Sequence, residues 1–236
     1  MSDWAPKRFW KDATVVEAPG GFTVLLDGRG VKTPGKAPLV VPTRGFAEEV
    51  AAEWAAQGDK IDPDTMPATR AANAAIDKVT RQFDEVAELL TAYGETDLLC
   101  YRATDPAALI ERQAAAWDPL LGWSSDRFGV QWRVTSGVMP TEQPAETLAE
   151  LTAHVATLTP FQLTAFHDLV AMSGSLVIAL AVTEQVAPVE DLWRASRIDE
   201  DWQIEQWGED EEAQALAARR QDSFLAAARF FALCAC

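Results

Sequence analysis

The sequence predicts an α+β fold: a small N-terminal antiparallel β unit at residues 1–42, then a multihelical, orthogonal-bundle-like domain at residues 43–236. Three observations carry that prediction. Short runs rich in β-branched and aromatic residues, punctuated by Pro and Gly, fill roughly the first forty positions. After Pro42 the spacing of apolar residues changes from two to about 3.6. The chain, with 236 residues of which 48% are hydrophobic and 24% charged, is long enough to bury one large core or two modest ones.

The elements follow in order. Phe9-Trp10, Ala13 to Val16 and Phe22 to Leu26 read as short strands, and Asp27-Gly28 offers the positive-φ pair of a tight hairpin. Val31 to Thr33, a Pro34-Gly35-Lys36 turn and Pro38 to Val41 complete the β unit, which needs helices to cover it. Thr43 is placed to cap a helix whose Phe46, Val50 and Trp54 share a face and which Gly58 stops. The loop Ile61 to Pro67 ends in a Thr65 cap, and a helical stretch to Tyr93 carries Ile76, Val79, Phe83, Val86 and Leu90, with a break near Thr80. Asp105-Pro106 signals cap and first turn of a helix that presents Leu109, Ile110, Gln113 and Trp117 to one side; Trp117-Asp118-Pro119 kinks it or starts another. Gly129 to Val138 reads as an extended excursion. Leu148, Leu151, Val155 and Leu158 mark the next helix, and Thr159-Pro160-Phe161-Gln162 is a capping box opening one that includes the apolar run Leu169 to Val182. That run has about fourteen residues, short of the roughly 20 a membrane span needs, so it predicts the central core helix. Ser173-Gly174-Ser175 within it allows a neighbouring helix to approach closely. Pro188 opens a helix with Val189, Leu192 and Trp193 that Gly208 interrupts, and a last helix carries Leu216, Phe224 and Phe231.

The net charge of −16 repels phosphate backbones and anionic lipid, which argues against nucleic acid and against membrane insertion. A basic protein patch or a cation is the natural complement. Cys100, Cys234 and Cys236 form no C-x-x-C pair and have no histidine at ligand spacing, so reduced thiols are expected, with no metal site. The opening M-S-D-W-A-P-K-R-F-W resembles neither a secretory signal nor an organelle presequence, which predicts a cytoplasmic protein or a chain supplied in mature form.

Catalytic patterns are sparse. His154 falls on a helix among apolar residues, and His167-Asp168 is separated by six positions from Ser173, on another helical face, with no G-x-S-x-G elbow. Gly20-Gly21 and Gly28-Arg29-Gly30 sit in hairpin turns, and no phosphate-binding loop is present. These absences predict no catalytic residues and no cofactor.

One stretch stands apart. Arg197 to Ala213, R-I-D-E-D-W-Q-I-E-Q-W-G-E-D-E-E-A, packs carboxylates around Trp202 and Trp207. Such a block can be a solvated helix face, a partner-docking surface, or the carboxylates of a hydrolase or divalent-metal-dependent enzyme. On a helix Trp193, Ser196, Glu200, Gln203 and Trp207 form one stripe while Asp199, Trp202 and Gln206 lie on another, so a ring stands on each face. The expectation is that Asp199, Asp201 and Trp202, with Glu205, face a partner and that Trp207-Gly208 anchors the segment on the core. A generic acidic adaptor, binding many basic proteins in low salt, is a further reading.

F-W-K-D-A-T-V (9–15), L-L-D-G-R-G-V-K-T-P (25–34), A-A-E-W-A-A-Q (51–57), I-D-P-D-T-M-P-A-T-R (61–70), D-L-L-C-Y-R (97–102), W-D-P-L-L-G-W (117–123) and Q-I-E-Q-W-G (203–208) together resemble the assembly chaperone of F1 ATP synthase that cares for the α subunit. The motifs keep family order over nearly the whole chain. The resemblance implies a non-enzymatic protein that binds unassembled α until the β subunit replaces it, and a monomer is expected. Trp54 matches the tryptophan of the family's E-W motif, where a core role for the first helix competes with client contact. Asp199 and Asp201 match positions that the family usually fills with glutamate; the charge is kept and the reach is one methylene shorter.

Overall fold

The computed structural model describes residues 7–137 and 139–235. Residues 1–6 of the opening stretch, Val138 at the end of the predicted extended segment, and Cys236 lie outside them. The chain divides into two compact units: the described residues up to Phe83 with Thr159–Ala165 and those from Arg229 on, and Asp84–Leu158 with Phe166–Ala228.

In the first unit, β1 (Ala13–Ala18), β2 (Gly21–Leu26), β3 (Arg29–Gly30) and β4 (Val40–Val41) form an antiparallel sheet in which β2 pairs with all the others. The Asp27-Gly28 turn has φ of 48° and 81°, the left-handed pair that a two-residue hairpin between twisted strands requires. The Asp27 carboxylate accepts backbone N–H bonds from Asp12 at 2.9 Å and Lys11 at 3.1 Å, which hold its pKa below the usual range. Gly21 is indispensable: a Cβ there would lie 2.1 Å from the Val41 carbonyl oxygen.

Helix α1 (Arg44–Ala56) covers this sheet, burying Phe46, Ala47, Val50 and Ala51. Thr43 caps it as predicted, accepting from Phe46 N at 3.2 Å and donating to Leu233 O at 2.5 Å. The helix stops at Gln57 rather than through Gly58. Gln57 adopts extended backbone, and its buried amide donates to Glu53 O and Thr65 Oγ1 and accepts from Asp62 N. Helix α2 (Pro67–Asp77) is capped from a distance, not by Thr65: the Glu53 carboxylate accepts from Ala68 N at 2.5 Å, Thr69 N at 2.8 Å and Thr69 Oγ1 at 2.7 Å. Burial pushes the Glu53 pKa up while these donors pull it down. The face of α2 that is buried is lined by alanine (Ala68, Ala72, Ala75), with Ile76 only half-buried. The break near Thr80 is a 3-10 turn at Val79–Arg81.

The second unit contains most of α3 (Phe83–Ala92), then β5 (Tyr101–Arg102), α4 (Ala107–Phe128), β6 (Thr135–Ser136) and α5 (Ala145–Val155). The extended excursion is real and short: β6 pairs in parallel with β5. Helix α4 runs through Pro119 without ending, and Pro106, after a cis Asp105–Pro106 bond, is its N-cap rather than its first turn. Gln113 and Trp117 are buried on α4, whereas Ile110 is 36% exposed.

The remaining helices are α6 (Pro160–Ser173), α7 (Leu176–Thr183), α8 (Val189–Ala195), α9 (Ile198–Trp207) and α10 (Glu211–Leu233). The capping box at α6 is reciprocal: Thr159 N donates to Gln162 Oε1 at 2.9 Å, and Gln162 N donates to Thr159 Oγ1 at 3.2 Å. The apolar run is not one helix. Gly174, at φ 70°, breaks it into α6 and α7, and no atom lies within 4 Å of where its Cβ would be, so it serves a turn rather than a close helix contact. Ser175 caps α7 by accepting from Ile178 N, and behind it stands the fully buried Asp97. Asp97 accepts from Ser175 Oγ at 2.8 Å, Val177 N at 3.0 Å and Leu99 N at 3.0 Å, and burial nonetheless pushes its pKa up to about 6. Every residue from Leu176 to Val182 is buried. Among the described residues no helix is long and apolar enough to cross a membrane. The helix opened by Pro188 ends at Ala195, well before Gly208, and α9 begins after Ser196-Arg197.

Candidate functional site

Helix α9 is held on α4 by a few strong contacts. Trp117, fully buried on α4, donates its indole N–H to Ala195 O at 2.7 Å, fixing the junction from which α9 departs. Gln113, one turn earlier and 1% exposed, donates to Asp199 Oδ1 at 2.6 Å and accepts from Ala103 N at 2.8 Å. A neutral amide buried on an apolar stripe must be satisfied, and here it ties α9 to the segment after β5. Asp199, Glu200 and Asp201 occupy the first turn of α9, where the helix N-terminus favours negative charge.

The carboxylates of α9 are not equivalent. Glu205 takes a bidentate pair with Arg112 at 2.8 and 2.9 Å, and the same guanidinium lies 5.0 Å over the Trp202 ring. Glu200 pairs with Arg197 at 2.9 Å. Asp201 is half-buried, and its carboxylate makes no hydrogen bond among the described residues; burial raises its pKa, with nearby Arg197 pulling it down. Asp199 is bonded to an uncharged amide. The Arg112–Glu205 pair is solvent-exposed and screened by water, so it orients the side chains more than it stabilises the fold.

Between α9 and the Tyr101–Asp105 segment lies a groove of about 630 Å³. Asp199, Trp202, Gln203, Gln206 and Trp207 form its helical wall, and Tyr101, Arg102, Thr104, Leu109 and Gln113 are on the opposite side. A second groove of about 370 Å³ runs between α9 and the start of α10, with Ile204, Trp207, Ala213 and Leu216 among its walls.

Trp207 overturns the expectation of a core anchor. It is 80% exposed, shared by both grooves, and Gly208 at φ 90° ends the helix beside it. Trp202, expected to face a partner, is half-buried beneath Arg112. All residues from Glu205 to Leu216 are exposed, which leaves Glu209, Asp210, Glu211 and Glu212 around two bare apolar groups, Trp207 and Leu216. Asp199, Asp201, Trp202 and Glu205 all stand on α9, but only Asp199 and Trp202 line the first groove. Trp54 belongs to the other unit, where Trp10 packs edge-on at 5.1 Å and donates to Trp54 O at 3.2 Å; the buried Trp54 indole nitrogen has no partner among the described residues. Sequence reasoning missed the β5-side wall. The one signal for it was Gln113, an amide on an otherwise apolar stripe.

Elsewhere the titratable groups do structural work. His167 pairs with its neighbour Asp168 at 3.0 Å, while Ser173 Oγ donates to Leu169 O and is buried. Cys100 and Cys234 are free, and burial pushes both thiols up to about 12. Among the described residues no group of three or more His, Cys, Asp or Glu side chains is arranged to hold a metal ion.

Residues 7–125 match the family described as ATP12 chaperone protein. The mitochondrial protein atp12 of Schizosaccharomyces pombe is 24% identical over 220 residues, spanning 88% of this chain and 75% of the relative. The crystal structure of Atp12 from Paracoccus denitrificans shares 47% identity at a TM-score of 0.94, covering 97% of this chain and 98% of that one. An aspartate-to-lysine mutant of the same Paracoccus protein matches with the same TM-score of 0.94. A protein of Agrobacterium tumefaciens described as a candidate chaperone is 41% identical with a TM-score of 0.93, covering 97% of this chain and 86% of that one. The chain belongs to the ATP12 chaperone family, whose members assist assembly of ATP synthase.

Proposed function

We propose that this protein binds the unassembled α subunit of F1 ATP synthase, keeps it from aggregating and releases it to the β subunit, without ATP or any other cofactor. The observation that carries the proposal is the bare, acid-rimmed apolar surface of α9 and early α10: Trp207 at 80% exposure and Leu216 at 53%, set among carboxylates, in a chain of −16 net charge. An exposed tryptophan ringed by charge has the makeup of a binding hot spot, and the negative rim suits a client that displays arginine or lysine. Asp199, Asp201, Trp202 and Glu205 form the client-facing set, with Glu205 and Trp202 pre-oriented by Arg112. Trp54 acts chiefly through the α1 packing of the other unit. The protein works as a monomer, in the bacterial cytoplasm; two of the solved relatives named above come from bacteria.

The test is light scattering of isolated F1 α subunit on dilution from denaturant, alone, with this protein, and with its Asp199→Lys and Asp201→Lys variants. Wild type suppresses the scattering and both charge reversals weaken the effect. Equal aggregation in every mixture overturns the proposal. That the Paracoccus aspartate-to-lysine mutant keeps the family fold supports reading such variants as binding rather than folding changes.

A further inference from the structure

The groove between α9 and the Tyr101–Asp105 segment has a chemical order along its helical wall. Asp199 stands at one end, the amides of Gln203 and Gln206 in the middle, and Trp207 at the other end. Eight residues of α-helix separate the two ends, a rise of about 12 Å. An extended chain covers that distance in three to four residues at about 3.3 Å each. The amides between can both donate to and accept from a peptide backbone.

The charges in the groove are unbalanced. Elsewhere on α9, outside the groove lining, Glu200 and Glu205 are neutralised by Arg197 and Arg112, but the hydrogen-bond partner of Asp199, in the groove, is the neutral Gln113 amide at 2.6 Å. Arg102, the cation on the facing wall, is already engaged by Asp118 at 2.7 Å. Asp105 adds a second carboxylate to the lining. Gln113 holds only Oδ1 of Asp199, and no bond is made to Oδ2 among the described residues. At the other end the Trp207 ring is bare, and the largely buried Leu109 is in the opposite wall. A volume of about 630 Å³ falls within the roughly 300–1,000 Å³ of sites that enclose small ligands, enough for the side chains of a short segment.

We propose that this groove receives an extended client segment carrying an arginine or lysine and, three to four residues away, an apolar side chain. The cation meets Asp199, the backbone meets Gln203 and Gln206, and the apolar side chain packs on Trp207. This rests on the chaperone function proposed above, and it makes Trp207, rather than Trp202, the apolar anchor.

Two experiments separate the proposals. In the first, the probe is the capped peptide Arg-Ser-Gly-Ser-Leu, with Glu-Ser-Gly-Ser-Leu as control, titrated to millimolar concentration into protein with ¹⁵N-labelled indoles. The Trp207 indole resonance, identified by its loss in Trp207→Ala, shifts with the arginine peptide and not with the glutamate peptide. Asp199→Asn weakens that response at least tenfold. No shift, or equal shifts with both peptides, overturns the groove assignment. In the second, Trp207→Ala and Asp199→Asn are assayed for protection of F1 α subunit, with circular dichroism as the folding control; Trp207 buries too little to unfold the chain. Each variant requires at least tenfold more protein than wild type. If wild type and both variants protect α equally, the groove proposal falls and the α-subunit proposal stands. If wild type fails to protect α while the peptide response holds, the α-subunit proposal falls and the groove remains a site for basic, apolar segments.

Discussion

Replacing Asp97 by asparagine removes the one carboxylate that is completely buried behind the N-terminus of α7. Its pKa is raised to about 6 from 3.8, with burial as the largest cause. The folded state therefore holds the proton more tightly than the unfolded chain. The sign is opposite to that of a salt-bridged acid: ionisation of Asp97 opposes folding, so stability rises as pH falls through 6 toward 3.8 and is lowest above 6. At about 1.4 kcal/mol per unit the full effect is roughly 3 kcal/mol, of which about 1.4 is gained between pH 7.5 and pH 5. The asparagine variant does not titrate there. It also turns one acceptor oxygen into a donor, leaving a buried N–H of Leu99 or Val177 unpaired at a cost of about 1–3 kcal/mol at any pH. The assay is urea unfolding of wild type and Asp97→Asn at both pH values, so that groups common to both proteins cancel. The difference between the two grows in favour of wild type by about 1.4 kcal/mol on going to pH 5. Parallel pH profiles would refute the account of Asp97 as an ionisable, desolvated cap.

Gly21→Ala forces a Cβ to 2.1 Å from a backbone oxygen of β4, so it destabilises by at least about 2–3 kcal/mol in urea unfolding, whereas Gly20→Ala, with open space around it, costs less. Glu53→Gln keeps one acceptor for the start of α2 and loses the other, which costs about 1 kcal/mol or more and lowers protection of the Ala68 and Thr69 amides in hydrogen exchange. Arg112→Ala leaves the thermal midpoint nearly unchanged, because the Arg112–Glu205 pair is exposed, but frees both Glu205 and the Trp202 ring. The indole resonance of Trp202 reports that release, and the binding of F1 α becomes more sensitive to salt.

The parts of the fold legible in the sequence are those set by neighbouring residues. The Asp27-Gly28 hairpin, the Thr43 cap and the Thr159–Gln162 box each depend on a span of a few residues. Breaks set at a distance were hidden. The cut at Gly174 lies in a run where every side of α7 is buried, so apolar spacing carries no phase to lose. Its stabilising partner, Asp97, is 78 residues from Ser175 in sequence. Glu53 caps α2 from 15 residues away and displaces the local candidate Thr65. At the site, the acidic block was visible, but its internal pairing was not, because Arg112 approaches from α4, 93 residues before Glu205. Trp207 was misplaced for a related reason. A large ring is assigned to a core by default, and only the packing shows that Trp193 and Trp117 already fill that role.

The most direct measurement mixes the protein separately with isolated F1 α and isolated F1 β subunits and follows each mixture by sedimentation velocity. A one-to-one complex with α, none with β, and a weakened complex for Asp199→Lys and Asp201→Lys are what the account predicts. No complex with α, or equal binding to both subunits, would contradict it.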